Sequence, residues 1–326
     1  MRADVTEADV IIVGGGPAGA SCALKLHSAG ARVLVLDQVT FPRAKPCAGW
    51  VTSEVFSLLS PYVTNYPHAL TRFTKFSVSL RSFHFTLRVR QYAVTRTEFD
   101  AWLLASGGTE VINHQVRTIT NDGKRYHIDG RFSCSHLVGA GGTTCPVYRT
   151  FFKGSGNRRP ENLIAAREEE FSYSHDDAVC RLWFFQDKLP GYAWYVPKSD
   201  GIVNVGVGAK AQSLRQRGGS LTHHWDMLVD MLHTQGLVTG HAYRPSTRSY
   251  YIRQENLVIQ KDQAFLVGDA AGLATRDMGE GIAPAIHSGL LAAEAILTGT
   301  PYQVKTVRKY SWPSICTSRW KSKDSL

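Results

Sequence analysis

The chain has 326 residues, 43% of them apolar, 10% aromatic and 20% charged, a composition that fits one or two globular domains and excludes a disordered chain, a collagen-like fibre and a disulfide-dense miniprotein. Its 37 lysines and arginines against 27 aspartates and glutamates leave a net charge of +10. Six of the cations (Lys305, Arg308, Lys309, Arg319, Lys321 and Lys323) fall in the last 25 residues against Asp324 alone, a tail that suits an anionic membrane, an acidic partner or a solvated helix end.

Taken in chain order, residues 9–13 read as a buried parallel strand, 18–28 as the helix after it, and 32–37 (RVLVLD) as a second such strand, together a βαβ unit. A helix is predicted at 53–59. Residues 73–94 alternate polar and apolar, as half-buried antiparallel strands do. A helix at 99–105 and a short buried strand at 137–140 follow. From 162 to 209 the pattern is strand-rich (LIAAREEEF, VCRLWFF, YAWYVPK, IVNVGVG), then come a helix at 221–235, a buried strand at 263–267 and a long apolar helix at 282–297. The order predicts a discontinuous nucleotide domain (1–72, 93–158 and 255–326) around an antiparallel-sheet substrate domain (73–92 and 159–254). The apolar run 10–26 is broken by three consecutive glycines and Lys25, so it is too short to span a bilayer and membrane contact is expected to be peripheral. Six scattered cysteines (22, 47, 134, 145, 180 and 316) form no C-x-x-C pair and share no metal-ligand spacing with the twelve histidines. That predicts a reducing, cytoplasmic setting without a leader, and no metal.

Gly14-x-Gly16-Pro17-Ala18-Gly19 follows the first strand and opens the first helix. The first glycine permits the tight turn, the second lets a pyrophosphate reach the backbone, and the third lets helix and strand pack closely. Asp37, followed by Gln38, stands 18 residues beyond Gly19 at the end of the second strand, where a carboxylate accepts ribose hydroxyls. A second glycine-acid turn, Gly268-Asp269, lies some 230 residues downstream of the first, followed by Gly279-Glu280-Gly281-Ile282 at the start of the long helix. A site for NAD alone needs no such second turn. An FAD site does, because the ribityl chain and isoalloxazine must be gripped beyond the pyrophosphate, with helix N-terminal amides facing the flavin N1/C2 region. The expected fold is therefore α/β: a Rossmann-like FAD-binding domain with a βαβ unit and parallel sheet, carrying an inserted antiparallel β-sheet substrate domain.

GGGPAG and GDAAG together resemble the glutathione-reductase-type FAD fold of the hydroxylase class, as does Val94-x-Arg96-x-x-Phe99-Asp100-x-Trp102-Leu103. Phe41-Pro-Arg-x-Lys45-Pro-Cys47-x-Gly49, Gly191-Tyr-Ala-Trp194-Tyr-Val-Pro197-Lys198 with Val203-Asn-Val-Gly206-Val-Gly208, and GDAAG with GEGI resemble the geranylgeranyl reductase family. Members are flavoproteins that saturate carbon–carbon double bonds of prenyl chains. The resemblance implies that Cys47 lies beside the isoalloxazine and relays a proton, that Tyr192, Trp194 and Pro197 line the cavity over the flavin, that Arg43 and Lys45 lie near FAD phosphates or the cavity mouth, and that Arg96 lies near the cofactor. It also groups Ala48 and Gly141 with the cofactor contacts.

Departures from that pattern carry their own expectations. The usual Gly-Ala-Asp-Gly turn reads Gly139-Ala140-Gly141-Gly142, and the missing acid argues against direct NAD(P)H use. Trp50, after Ala48-Gly49, stands where small residues are usual and is expected to narrow the cavity; Thr275-Arg276 replaces an Asn-Pro. With little chain after the last helix, a shortened prenyl tunnel and a smaller substrate are expected. The function expected is reduction of carbon–carbon double bonds of an apolar, prenyl-type substrate by hydride from reduced FAD. The alternative is a flavin monooxygenase or halogenase on an aromatic or carrier-bound substrate, which Trp194 and Pro197 suit but the lack of a Gly-Glu-Ser segment after the first helix does not. The donor is either NAD(P)H or an acidic redox protein steered by the basic surface. Nucleic acid is not an expected partner. The plainer readings make Cys47 a buried thiol, Tyr192 and Trp194 strand core, His223 and His224 surface helix residues, and His287 a packing residue.

Overall fold

The structure, a computed structural model, describes residues 5–63, 65–175 and 178–312. Cys316, Arg319, Lys321, Lys323 and Asp324, invoked above, lie outside them. The chain begins with β1 (Thr6–Val13), α1 (Pro17–Ser28), β2 (Val33–Asp37), β3 (Trp50–Thr52), α2 (Ser53–Leu59), β4 (Thr71–Leu80), β5 (Phe83–Ala93) and α3 (Arg96–Ser106). Short strands follow: β6 (Glu110–Asn113), β7 (Ile119–Asn121), β8 (Tyr126–Ile128) and the longer β9 (Phe132–Gly139). Then come β10 (Leu163–Ser172), β11 (Cys180–Phe184), β12 (Gly191–Lys198), β13 (Ile202–Lys210), α4 (Ala211–Gln216), α5 (Leu221–Thr234) and β14 (Ser246–Tyr251). The last elements are β15 (Gln260–Lys261), β16 (Ala264–Leu266) and α6 (Ile282–Thr298).

Two sheets result. In the first, β16, β9, β1, β2 and β6 run parallel, with β15 antiparallel at one edge and β7–β8 hung on β9. Its central strand β1 is apolar on both faces, and Ile11 and Ile12 are fully buried, as covered parallel strands require. The second sheet runs β14-β10-β13-β12-β11-β4-β5-β3. It was expected to be antiparallel, but β11 pairs parallel with β4. No hairpin joins those two strands; the chain leaves β5 for the first sheet and returns through β10, so nothing forces them to oppose. Trp50–Thr52 joins this sheet's edge beside β5 from inside the stretch expected to belong to the nucleotide domain. Strands β6–β8 and β14 and helix α4 went unpredicted, being short or weakly patterned. No helix among the described residues is long and apolar enough to cross a membrane.

Helices α1 and α6, each preceded by one of the glycine turns, cross at close range. A Cβ on Gly289 would lie 2.2 Å from the Ala18 carbonyl oxygen, and Ser21 Oγ donates across the crossing to the Ile286 carbonyl at 3.1 Å. A Cβ on Gly268 would meet Ala18 Cβ at 2.9 Å. This packing brings turns remote in sequence to one cleft.

Candidate active site

The ends of β1 and β2 and the N-termini of α1 and α6 open on a continuous cavity of about 800 Å³ that extends to the face of the second sheet. At its first end, Gly14 turns with φ +113, and a Cβ there would meet the Ala140 carbonyl oxygen at 2.5 Å. A Cβ on Gly19 would lie 1.9 Å from the Gly14 oxygen. The fold itself requires both glycines. Gly16 differs: its φ is −70, and the one protein atom a Cβ would approach is Arg43 Nη2, at 3.5 Å. Packing does not require glycine there, and the space left open is what a pyrophosphate needs over the α1 amides. Asp37 accepts from the Gly15 amide at 2.7 Å through Oδ2 and from Val39 at 3.0 Å through Oδ1. The carboxylate is fixed at the cleft rim beside Gln38, with lone pairs left for ribose hydroxyls.

Cations gather at mid-cleft. Arg96, first residue of α3, and Asp100 one turn on are both buried and form a bidentate pair, with both bonds at 2.7 Å. Burial works against the guanidinium charge, but Asp100 outweighs it and holds the Arg96 pKa above its ordinary value. Cys47 lies close to the same guanidinium and adds to that rise. Arg43 Nη2 stands 3.4 Å from Asp100 Oδ2, with its guanidinium 4.7 Å over the Phe41 ring. Repulsion from Arg96, with burial, lowers the pKa of Lys45. Three cations around Asp100 leave local positive charge that a multiply charged anion neutralises. The residues therefore fit FAD: an open cradle at Gly16, a cationic middle, and a ribose acceptor at Asp37.

The second turn is pinned from both sides. Tyr192 Oη donates to the Met278 carbonyl at 2.6 Å. Gly279 has φ +64, and a Cβ there would lie 2.3 Å from Tyr250 Oη, so the β14 tyrosine seats directly on it. A Cβ on Gly281 would meet Asp269 Oδ1 at 3.3 Å; Asp269 and Ile282 complete this rim. From outside, the Ser311 and Trp312 amides donate to Asp277 at 2.9 Å, and Ser311 Oγ donates to Glu280 Oε2 at 2.9 Å. Burial pushes the Glu280 carboxyl up to about 7, against the Ser311 bond and with help from Asp277. A carboxyl whose folded pKa exceeds its unfolded value of about 4.5 lets the folded state hold the proton longer, so stability falls as pH rises from about 4.5 to about 7. Glu280→Gln is expected to match the wild type near pH 5 and to exceed it above pH 7 by at most about 3 kcal/mol. Denaturant melts at the two pH values check this, and a pH-independent difference counts against it.

Cys47 sits between the cation cluster and the second sheet. Its carbonyl accepts from Lys198 Nζ at 2.8 Å, and Lys198, fully buried at the end of β12, is paired with Glu170. Gly49 has φ +65, and a Cβ there would strike the Val94 oxygen at 2.0 Å and Lys198 Nζ at 2.8 Å. Opposite, the sheet presents Leu182, Tyr192, Trp194 and Val196. Trp194 Nε1 donates to Asn204 Oδ1 at 2.7 Å, and its ring lies where a Cβ on Gly206 would be, 2.2 Å away. The Val-Gly-Val-Gly run of β13 is thus glycine-rich to seat this indole. Trp50 stands edge-on to Phe76 with ring centroids 4.9 Å apart, and its Nε1 bonds Gln91; it lines the cavity as expected. Glu168, on the same face of β10, is buried, and desolvation raises its pKa against the pull of Arg248 and Lys198.

The structure brings Gly14, Gly16, Pro17, Ala18, Asp37, Gln38, Arg43, Lys45, Cys47, Ala48, Arg96, Gly141, Tyr192, Trp194, Asp269, Gly279, Gly281 and Ile282 to this one cavity. Gly19 and Gly268 lie behind it, Gly19 packed on the Gly14 turn and Gly268 between α1 and α6, and Pro197 is not among the lining residues. Sequence reasoning gave no role to Glu168, Lys198, Arg248, Tyr250 or Asp100. His224 was expected on the surface but is buried, while His223 pairs with Asp187 at 2.9 Å. Two tail cations are engaged internally: Arg308 with Glu54 and Glu280, Lys309 with Glu255.

Residues 7–61 match the family model described as FAD binding domain, and 162–234 match the geranylgeranyl reductase catalytic domain. An uncharacterized protein of Methanosarcina barkeri is 30% identical over 307 residues, covering 88% of this chain and 74% of that protein. A menaquinone reductase of Mycobacterium tuberculosis is 26% identical over 335 residues, 96% of this chain and 80% of that one. Among solved structures, a geranylgeranyl bacteriochlorophyll reductase-like protein of Thermoplasma acidophilum superposes with a TM-score of 0.77 at 21% identity, covering 91% of this chain and 81% of that one. The catalytic-domain match falls on the strands that wall the cavity opposite Cys47. The chain belongs to the geranylgeranyl reductase family of FAD-dependent oxidoreductases.

Proposed function

We propose that this enzyme reduces carbon–carbon double bonds of a prenyl-type lipid, with a nucleotide domain (1–72, 93–158 and 255–326) holding FAD and a substrate domain (73–92 and 159–254) holding the substrate. The observation that carries the reading is the cavity's far wall, Leu182, Trp194 and Val196 with the buried Glu168 carboxyl on the same face, opposite the Cys47 thiol. Menaquinone and geranylgeranyl, the words in the relatives' names, share a prenyl chain. FAD, when bound and reduced, supplies the hydride. The chain's residues do the rest. Gly16 and Asp37 seat the dinucleotide, and Arg43, Lys45 and Arg96 balance its phosphates. Tyr192 and Tyr250 hold the Met278–Ile282 turn against the flavin end. Trp194 and its neighbours exclude water from the alkene. The thiol of Cys47, beside Arg96 at the cavity wall, supplies the proton.

The donor we propose is an acidic redox protein. A Cβ on Gly141 would meet Cys145 Cα at 3.2 Å, so this turn is crowded where the family's acid would stand, and the net charge of +10 favours an acidic carrier. Anaerobic turnover with a reduced ferredoxin or with NADPH tests both parts. A product heavier by about 2 Da supports reduction, and one heavier by about 16 Da under air indicates oxygenation instead. Faster, salt-insensitive reduction by NADPH overturns the carrier.

A further inference from the structure

The sheet face that walls the cavity does not stop at the cavity. On β4 and β5 it carries Phe76, Val78 and Leu87 inside the second core, with Phe76 opposite Leu87. The same face continues toward the hairpin turn through the pairs Val78–Phe85 and Leu80–Phe83. There Leu80, Phe83 and Phe85 are 39, 73 and 43% exposed. Beside them, β11 ends at Phe184 and is followed by Phe185, 45% exposed with φ +55. A bulky residue adopts that conformation only where its surroundings impose it. Arg81, in the hairpin turn, also has φ +55.

The two tips form one corner. The Arg81 amide donates to the Phe184 carbonyl at 3.3 Å, and Gln186 Nε2 donates to the Arg81 carbonyl at 3.1 Å. Arg81 and exposed Lys188 bring positive charge to the corner, with Asp187 beside them paired to His223, and segment 71–93 behind it carries Arg72, Lys75, Arg88 and Arg90 and no acidic residue. An aromatic path leads inward from here. The Phe184 ring lies 6.2 Å from Phe185 and 5.1 Å from Tyr192, itself 5.6 Å from Trp194 in the cavity wall.

We propose that this corner seats the protein on an anionic lipid bilayer, with Leu80, Phe83, Phe85 and Phe185 entering the acyl boundary and the surrounding cations meeting headgroup phosphates. Aromatic and aliphatic side chains with Lys and Arg beside them are the chemistry of an interfacial anchor. The inference rests on the prenyl-lipid reading only for its purpose, which is to bring the protein to the bilayer that carries such a substrate. Binding itself is tested without substrate, so the two can fail separately.

The experiment is flotation of the FAD-loaded protein with vesicles of phosphatidylcholine alone or with phosphatidylglycerol added. The wild type is expected to float with the anionic vesicles and to be released by salt. Phe83→Ser with Phe85→Ser is expected to weaken that partition at least about ten-fold and to leave flavin content and melting temperature unchanged. Arg81→Glu with Lys188→Glu should abolish the preference for anionic lipid. Three results overturn the proposal: no flotation, flotation unchanged by the serine pair, or equal binding to neutral vesicles. Light scattering that shows a dimer dissolved by the serine pair, without vesicle binding, assigns the face to a second copy and also overturns it.

Discussion

Gly16→Val is expected to give a folded protein that purifies without flavin. The argument lies in how the three glycines of the first turn differ. Gly14 and Gly19 are fixed by the protein's own backbone, since a Cβ would stand 2.5 Å from Ala140 oxygen or 1.9 Å from Gly14 oxygen. Substitution at either should damage folding as much as binding. At Gly16 the backbone is ordinary and extended, φ −70 and ψ −178, and a Cβ meets only the end of the flexible Arg43 side chain at 3.5 Å. Valine therefore fits the apoprotein but projects into the pyrophosphate's place over the α1 amides. A loss of FAD affinity of about 10³-fold or more corresponds to about 4 kcal/mol, the scale expected when a charged group loses both its amides and its approach. Flavin absorbance after purification and titration of FAD into the apoprotein measure it, with circular dichroism to establish folding. Stoichiometric flavin in the folded variant would show that the dinucleotide does not lie on this turn.

Local patterns carried most of the first sheet. Strand, glycine turn, helix and terminal acid are adjacent in sequence, so β1, α1, β2 and Asp37 were legible at once, and the second glycine-acid turn was legible through the chemistry it serves. What escaped depends on distant partners. The run Arg-Glu-Glu-Glu in β10 reads as a solvated acidic face, yet alternation turns Glu168 and Glu170 to the cavity side and Glu169 to the opposite face, where it meets His241. Lys198 and Arg248, 28 or more residues away, offset the inward placement. The parallel seam between β4 and β11 is likewise invisible locally, because it records where the chain re-enters the sheet. Gly206 and Gly208 look like loose strand residues until the Trp194 indole is seen to lie across them. Charge counting misjudged part of the tail for the same reason: the counterions of Arg308 and Lys309 come from Glu54, Glu280 and Glu255.

Cys47→Ser is expected to keep FAD and fold but to slow the substrate-driven reoxidation of reduced flavin about 10²-fold, the magnitude of a positioned proton donor. Two neighbours place Cys47: Arg96 stands beside it and Lys198 holds its carbonyl. Serine preserves the second and removes the softer, more acidic proton. The rival donor is Glu168, whose burial keeps the carboxyl protonated to higher pH than an ordinary glutamate. Glu168→Gln keeps its shape and hydrogen bonding but cannot release a proton, and it is expected to slow the same step less than ten-fold. The pH dependence separates the two further. A rate carried by the carboxyl is full while it is protonated and is lost as pH rises through its raised pKa. The residual rate of Cys47→Ser should show that loss, and the wild-type rate should not. Anaerobic single-turnover reoxidation across pH 5–9 for the three proteins measures this. If Glu168→Gln proves the slower variant, and the wild type already shows the carboxyl's pH limb, the proton comes from β10 and Cys47 serves only to shape the cavity beside the flavin.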